Sequence, residues 1–185
     1  MADGLFYLDS REPHLVTDVA AVTMAATAKA LYPAAAFPVL GGQYFNRPGK
    51  ALRIEMWLKL VLAGTPGNFS FNVHWGTGAD ANGTLICTAG TPVALTASVT
   101  KCIFAQFTVR CLTTGTAGTL QATGWAVADP AIIAATLNPI MIPTAGAAAS
   151  ASLDLTAANI VSVQALQSGT AGTIQCQQLS VIALN

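Results

Sequence analysis

The chain has 185 residues, of which 53% are hydrophobic and only 9% charged, whereas typical domains carry about 25% charged residues. Its eight basic and eight acidic residues cancel, so there is no basic excess to neutralise phosphates, and nucleic acid is excluded as an expected partner. The apolar-looking run 130–153 is broken by Pro139, Pro143 and Gly146, which argues against a membrane-spanning helix.

The length allows one domain with a substantial core. Eleven of the sixteen charges fall in the first sixty positions; from Val61 to Asn185 only Asp80, Lys101, Arg110, Asp129 and Asp154 are charged. A soluble surface usually carries far more. Such a stretch is expected to be covered by other copies of the chain or by a larger particle.

Met1–Leu15 is charged, contains Pro13 and has no clean period. Lacking an apolar h-region, it does not read as a signal peptide. Residues 1–16 are expected to form an extended N-terminal arm, and 17–185 a single domain. Phe6, Tyr7 and Leu8 are the arm's candidate anchors on a neighbouring subunit; the alternative is an arm packed on its own domain.

In Lys50–Leu62 the even positions Leu52, Ile54, Met56, Leu58, Leu60 and Leu62 are apolar, while the odd ones include Arg53, Glu55 and Lys59. This period of two predicts a long strand with one face in a core. Trp57 falls on the charged face. Beside other exposed aromatics it would mark a contact patch, so Arg53, Glu55, Trp57 and Lys59 are the interface candidates of the domain. The turn 63–68 leads to Phe69, Phe71, Val73 and Trp75 alternating with polar residues, and the two strands are expected to pair as a hairpin.

Leu85–Cys87 and Val93–Leu95 read as short edge pieces. Thr100–Thr113 is a long strand with Ile103, Ala105, Phe107, Val109 and Cys111 on one side and Phe104 with Gln106, Thr108 and Arg110 on the other. Thr119–Ala128 returns; the parity Trp125 shares with Val127 suggests that it is buried. The crossing 129–143 has room for a helical turn at 131–136. Ser152–Leu155, Asn159–Gln167 and Thr173–Leu184 complete the strands. Gly115-Thr-Ala-Gly-Thr-Leu-Gln121 recurs as Gly169-Thr-Ala-Gly-Thr-Ile-Gln175, with Gly64-Thr-Pro-Gly67 as a looser copy. The simplest reading is one hairpin turn used three times, with glycine supplying positive φ.

Strands at irregular spacing joined by tight turns and one long crossing predict an all-β, two-sheet, jelly-roll-like sandwich. An immunoglobulin-like sandwich lacks its Cys…Trp…Cys arrangement. Cys87, Cys102, Cys111 and Cys176 show no CxxC spacing and read as reduced, mostly buried thiols.

Residues for chemistry are few. The two histidines, His14 and His74, are not accompanied by a GxSxG nucleophile elbow, and no phosphate loop GxxxxGK[ST] occurs. Asp80-Ala-Asn-Gly83 is a turn signal more than a calcium loop, which needs further oxygen ligands and a closing Glu. Arg53, Glu55 and Lys59 are candidates for a charge ladder with a neighbouring strand, Arg110 included. Catalytic, cofactor and metal residues are not expected, and the chain does not read as an enzyme. Trp57, Trp75 and Trp125 with Asn72 and Gln121 leave a carbohydrate-binding module as an alternative.

Several segments resemble a family of tailed-phage structural proteins: Ala28-Lys-Ala-Leu-Tyr-Pro33, Phe37-Pro-Val-Leu-Gly41, Gly49-Lys-Ala-Leu-Arg-Ile54, Gly64-Thr-Pro-Gly-Asn68, Trp75 through Gly83, and Val181-Ile-Ala-Leu-Asn185. The resemblance runs from about Ala25 to the C-terminus and implies a β-sandwich attached to a virion. The expected function is non-enzymatic: a capsid cement or decoration protein, with a tail, baseplate or fibre component as the alternative. Its expected partners are itself, as a homotrimer, and the major capsid protein or other virion proteins. Its expected location is the virion, assembled in the host cytoplasm.

Overall fold

A computed structural model of the chain describes residues 14–40, 42, 44–80, 82–88, 93–129, 139–143, 146, 148–169 and 172–184, with side chains from Thr17 onward. The anchors Phe6, Tyr7 and Leu8 and the helical turn anticipated at 131–136 lie outside the described residues. The strands in chain order are β1 (His14–Thr17), β2 (Val22–Thr23), β3 (Lys29–Ala30), β4 (Ala51–Val61), β5 (Asn68–Gly76), β6 (Thr84–Thr88), β7 (Val93–Ala94), β8 (Thr100–Thr113), β9 (Thr119–Ala128), β10 (Ile140–Ile142), β11 (Ile160–Gln167) and β12 (Thr173–Ala183). Among the described residues a single 3-10 turn covers Ala34–Ala36.

The strands form the expected two-sheet sandwich. The larger sheet has the order β1–β12–β4–β8–β9–β10, with β2 also on β12; the smaller has β3–β11–β5–β6, with β7 on β5. Pairing is antiparallel throughout, as in β12–β4, β4–β8 and β11–β5. His14–Thr17, where the arm was expected to end, is an edge strand on β12.

The period of two in β4 has the expected consequence. Leu52, Ile54, Met56, Leu58 and Leu60 are fully buried, and Phe69, Phe71, Val73 and Trp75 of β5 face them from the other sheet. Edge-to-face contacts tie the layers, Phe71 to Phe107 at 5.6 Å and Phe45 to Trp75 at 5.7 Å between ring centroids. The Tyr32 hydroxyl donates to Val161 O at 2.9 Å and accepts from Val163 N at 3.0 Å. That pins the segment before β4 to β11, and burial pushes the phenol pKa up.

Two of the three repeated turns differ from expectation. Gly115–Gly118 does make the β8–β9 hairpin. The turn after β4, however, carries the chain into the other sheet, and so does the turn between β11 and β12. Alternation specifies a buried face but not whether the next strand lies beside it or across from it. Here β4 and β5 both have a full apolar face, and crossing the sandwich lets each bury the other. The two corners dock together. Gln167 donates Nε2 to Pro66 O at 2.8 Å and accepts from Gly172 N at 3.1 Å, while Ser168 Oγ accepts from Asn68 N at 2.9 Å. Gly67 has φ 66° and Gly169 φ 82°, and a Cβ on either would sit within 2.5 Å of the other corner's backbone carbonyl oxygen. The recurring motif therefore serves as a matched pair of sheet crossings plus one hairpin.

Candidate interaction surface

The outer face of the larger sheet brings the domain's interface candidates together. Arg53, Glu55, Trp57 and Lys59 occupy successive outward positions of β4. Register places Phe104 directly beside Trp57 and Val127 beside Phe104, in one row across β4, β8 and β9. The next row holds Glu55, Gln106, Trp125 and Met141. Trp57 packs against Phe104 with ring centroids 5.0 Å apart, and Phe104 against Trp125 at 5.4 Å, both pairs tilted. Trp57 is 49% exposed and Met141 58%; Val61 and Val127 are also exposed. The result is an aromatic and aliphatic stripe running across the strands on the solvent side. A single exposed apolar residue is ordinary, whereas a contiguous row marks a contact site.

Trp125 corrects the parity reading. It does share a face with Val127, but that face is the outer one, and Phe104 rather than the core half-covers it. Trp75 is in the core as expected, 4% exposed, with its indole N–H donating to Asp154 O at 3.2 Å.

The charges near the stripe form no cross-strand ladder, contrary to expectation. Arg53 lies between Thr108 and Ile182, Glu55 between Gln106 and Ser180, and Lys59 between Cys102 and Gln175. Arg53 Nε approaches Glu55 Oε1 to 2.9 Å, but the N–H has no hydrogen-bond partner, so the contact is one of charge alone. Arg110 instead donates Nε to Gln121 Oε1 at 2.7 Å. Lys59 has no ion-pair partner among the described residues.

The outer face of the smaller sheet is built differently. Its outward side chains include Asn72 and His74 of β5 and Ser162 and Gln164 of β11. The segment 77–83 folds over them. Gln164, fully buried, donates Nε2 to Ala79 O at 3.2 Å and Asn82 O at 3.3 Å. His74 Nδ1 meets Gly83 O at 3.3 Å, so in the neutral ring Nδ1 carries the proton and Nε2 is an acceptor. Burial holds the imidazole pKa below its usual value, and the Gly83 carbonyl partly offsets this. Asp80 clips the loop down, accepting from Lys29 Nζ and Ala30 N, both at 2.9 Å; the Lys29 bond holds its carboxyl below the usual range. The Asp80–Gly83 sequence thus works as the expected turn.

A shallow groove of about 660 Å³ lies beside this loop, walled by Val19, Val22, Tyr32, Ala34 and Gly78. It is largely apolar, and among its described lining residues the one charged side chain, Asp80, is committed to Lys29. The four cysteines are free thiols, and Cys87, Cys111 and Cys176 are buried. Burial pushes Cys87 up to about 11 and Cys176 up to about 12, so both stay protonated and unreactive at neutral pH. Among the described residues no group of three His, Cys, Asp or Glu side chains is placed to hold a metal ion.

Comparison with protein-family models, with curated proteins and with solved structures finds no match to this chain.

Proposed function

We propose that the protein is a non-enzymatic structural subunit of a tailed-phage virion, a cement or decoration protein of the head, and that the outer face of its larger sheet is its assembly surface. The observation that carries this reading is the stripe Trp57–Phe104–Trp125 with Val127 and Met141, an outward apolar row in which Trp57, Val127 and Met141 are exposed and which Glu55 and Lys59 flank on β4. Interface cores are rich in Trp, Phe, Met and Arg and poor in Lys and Glu. The resemblance of 25–185 to phage structural proteins supplies the setting. A tail component uses the same surface logic and differs only in where the subunit sits.

The carbohydrate-binding alternative has less support. Trp75 is in the core. The planes of Trp57 and Phe104 are tilted by 55°, and those of Phe104 and Trp125 by 52°, which gives a ridged surface rather than a flat stacking platform.

The test is quantitative mass spectrometry and cryo-microscopy of purified particles of the phage that encodes the chain. The expected result is many copies per particle, at lattice points of the shell. Absence from purified particles would contradict the virion reading, and density confined to the tail would move the subunit there.

A further inference from the structure

We propose that the outer face of the larger sheet binds the same face of a second copy, about a two-fold axis running along the aromatic stripe; this rests on the reading of that face as the assembly surface. The register determines what such an axis brings together. Trp57, Phe104 and Val127 form one row across the strands. A half-turn about that row turns the sheet over and reverses every strand. The row then meets itself, Trp57 against Trp57 and Phe104 against Phe104. A residue two places before the row meets the residue two places after it. On β4 this sets Glu55 against Lys59 of the second copy, and symmetry makes the pair twice.

Three features favour this occupant. The first is charge. Lys59 has no ion-pair partner among the described residues and only neutral cross-strand neighbours, and the one ion contact of Glu55 is Arg53 on its own strand. The two-fold contact gives Lys59 a carboxylate and gives Glu55 a second cation. No like charges meet along β4, because Arg53 comes opposite Val61.

The second is area. Five strands, β12, β4, β8, β9 and β10, hold 49 residues among them and, at ~4.8 Å spacing and ~3.4 Å per residue, span roughly 800 Å². A stable complex buries about 800 Å² per partner.

The third is symmetry. A three-fold ring needs two different patches that complement each other. Here one continuous patch carries an acid and a base at equal distances either side of its apolar row, so it complements itself. Facing sheets cross at about −30°, so the superposition is tightest over β4 and β8 and loosens toward β10 and β12. Farther out, Asp129 comes across from the Trp125 indole, whose N–H is a donor.

The experiment is sedimentation velocity of the full chain over a concentration range, with Glu55→Lys, Lys59→Glu, their equimolar mixture and the double variant Glu55→Lys/Lys59→Glu. Wild type is expected at twice 18.9 kDa. Each single variant opposes like charges twice and is expected to self-associate about tenfold more weakly or worse. In the mixture every lysine again faces a glutamate, so a heterodimer of near wild-type affinity is expected, and the double variant should dimerise as wild type does. Circular dichroism checks that each variant is folded, and the double variant keeps the test decisive if one single variant is not. Wild type that stays monomeric, single variants that dimerise normally, a mixture no tighter than its components, or a three-copy mass would each overturn the two-fold contact. A chain found at lattice points in particles while its Glu55→Lys variant still dimerises overturns this contact and leaves the virion reading standing. A chain absent from particles removes that reading whatever its mass.

Discussion

The two outer faces of the sandwich are treated in opposite ways. The smaller sheet puts polar side chains outward, then seals them under its own loop at 77–83 with hydrogen bonds from Gln164 and His74. The larger sheet puts Trp57, Phe104 and Trp125 outward and leaves Trp57 half-exposed and the other two partly so. Burying polar groups requires partners with directed geometry, which a chain most reliably supplies from itself. Apolar surface is indifferent to direction and can be left for another molecule to cover. The contrast thus separates a face covered by the subunit's own loop from one left open, which the proposed assembly would cover.

The sharpest way to break that contrast is to lift the seal. Gly78 has φ 82°, and a Cβ there would lie 2.3 Å from Ile160 Cδ1. Gly78→Val combines left-handed strain with overpacking and should cost about 3 kcal/mol in urea unfolding. Next comes Gln164→Leu, which takes the amide donor from Asn82 O and one of two donors from Ala79 O and should cost about 2 kcal/mol by the same measurement. The open face should respond in the opposite sense. Trp57→Ala removes one tilted aromatic contact and should lower subunit stability by only about 1 kcal/mol, while self-association measured by light scattering falls far more.

The smallest expected effect is in pH. His74 has a lowered pKa in the folded protein, so the unfolded chain takes up the proton first as pH falls. Its share of stability is therefore complete above about pH 6.5 and declines as pH drops toward the folded value. Melting temperature should be lower at pH 5.5 than at pH 7.5, and His74→Gln should flatten that difference.

Much of the fold was legible because alternation reports burial directly. The inward faces of β4, β5 and β8 follow from the apolar positions alone, and so does the outward placement of Trp57 and of Phe104. That the two touch was not legible, because it depends on the β4–β8 register, which no local pattern encodes. The corners at 63–67 and 168–172 look like hairpins for the same reason: glycine marks the reversal but not the layer in which the chain continues. In β11 Ser162 and Gln164 alternate with Val161 and Val163, a pattern that marks a polar side without showing what covers it. The loop over Gln164 comes from a segment about eighty positions away, and only the tertiary fold shows that the side is covered.

The most direct test of the central claim is hydroxyl-radical footprinting of the assembled protein against the dilute subunit, read at Trp57 and Met141, with exposed Leu85 of the smaller sheet as reference. The account predicts that oxidation of Trp57 and Met141 falls several-fold on assembly while Leu85 is unchanged. Equal labelling of Trp57 and Met141 in both states would contradict it.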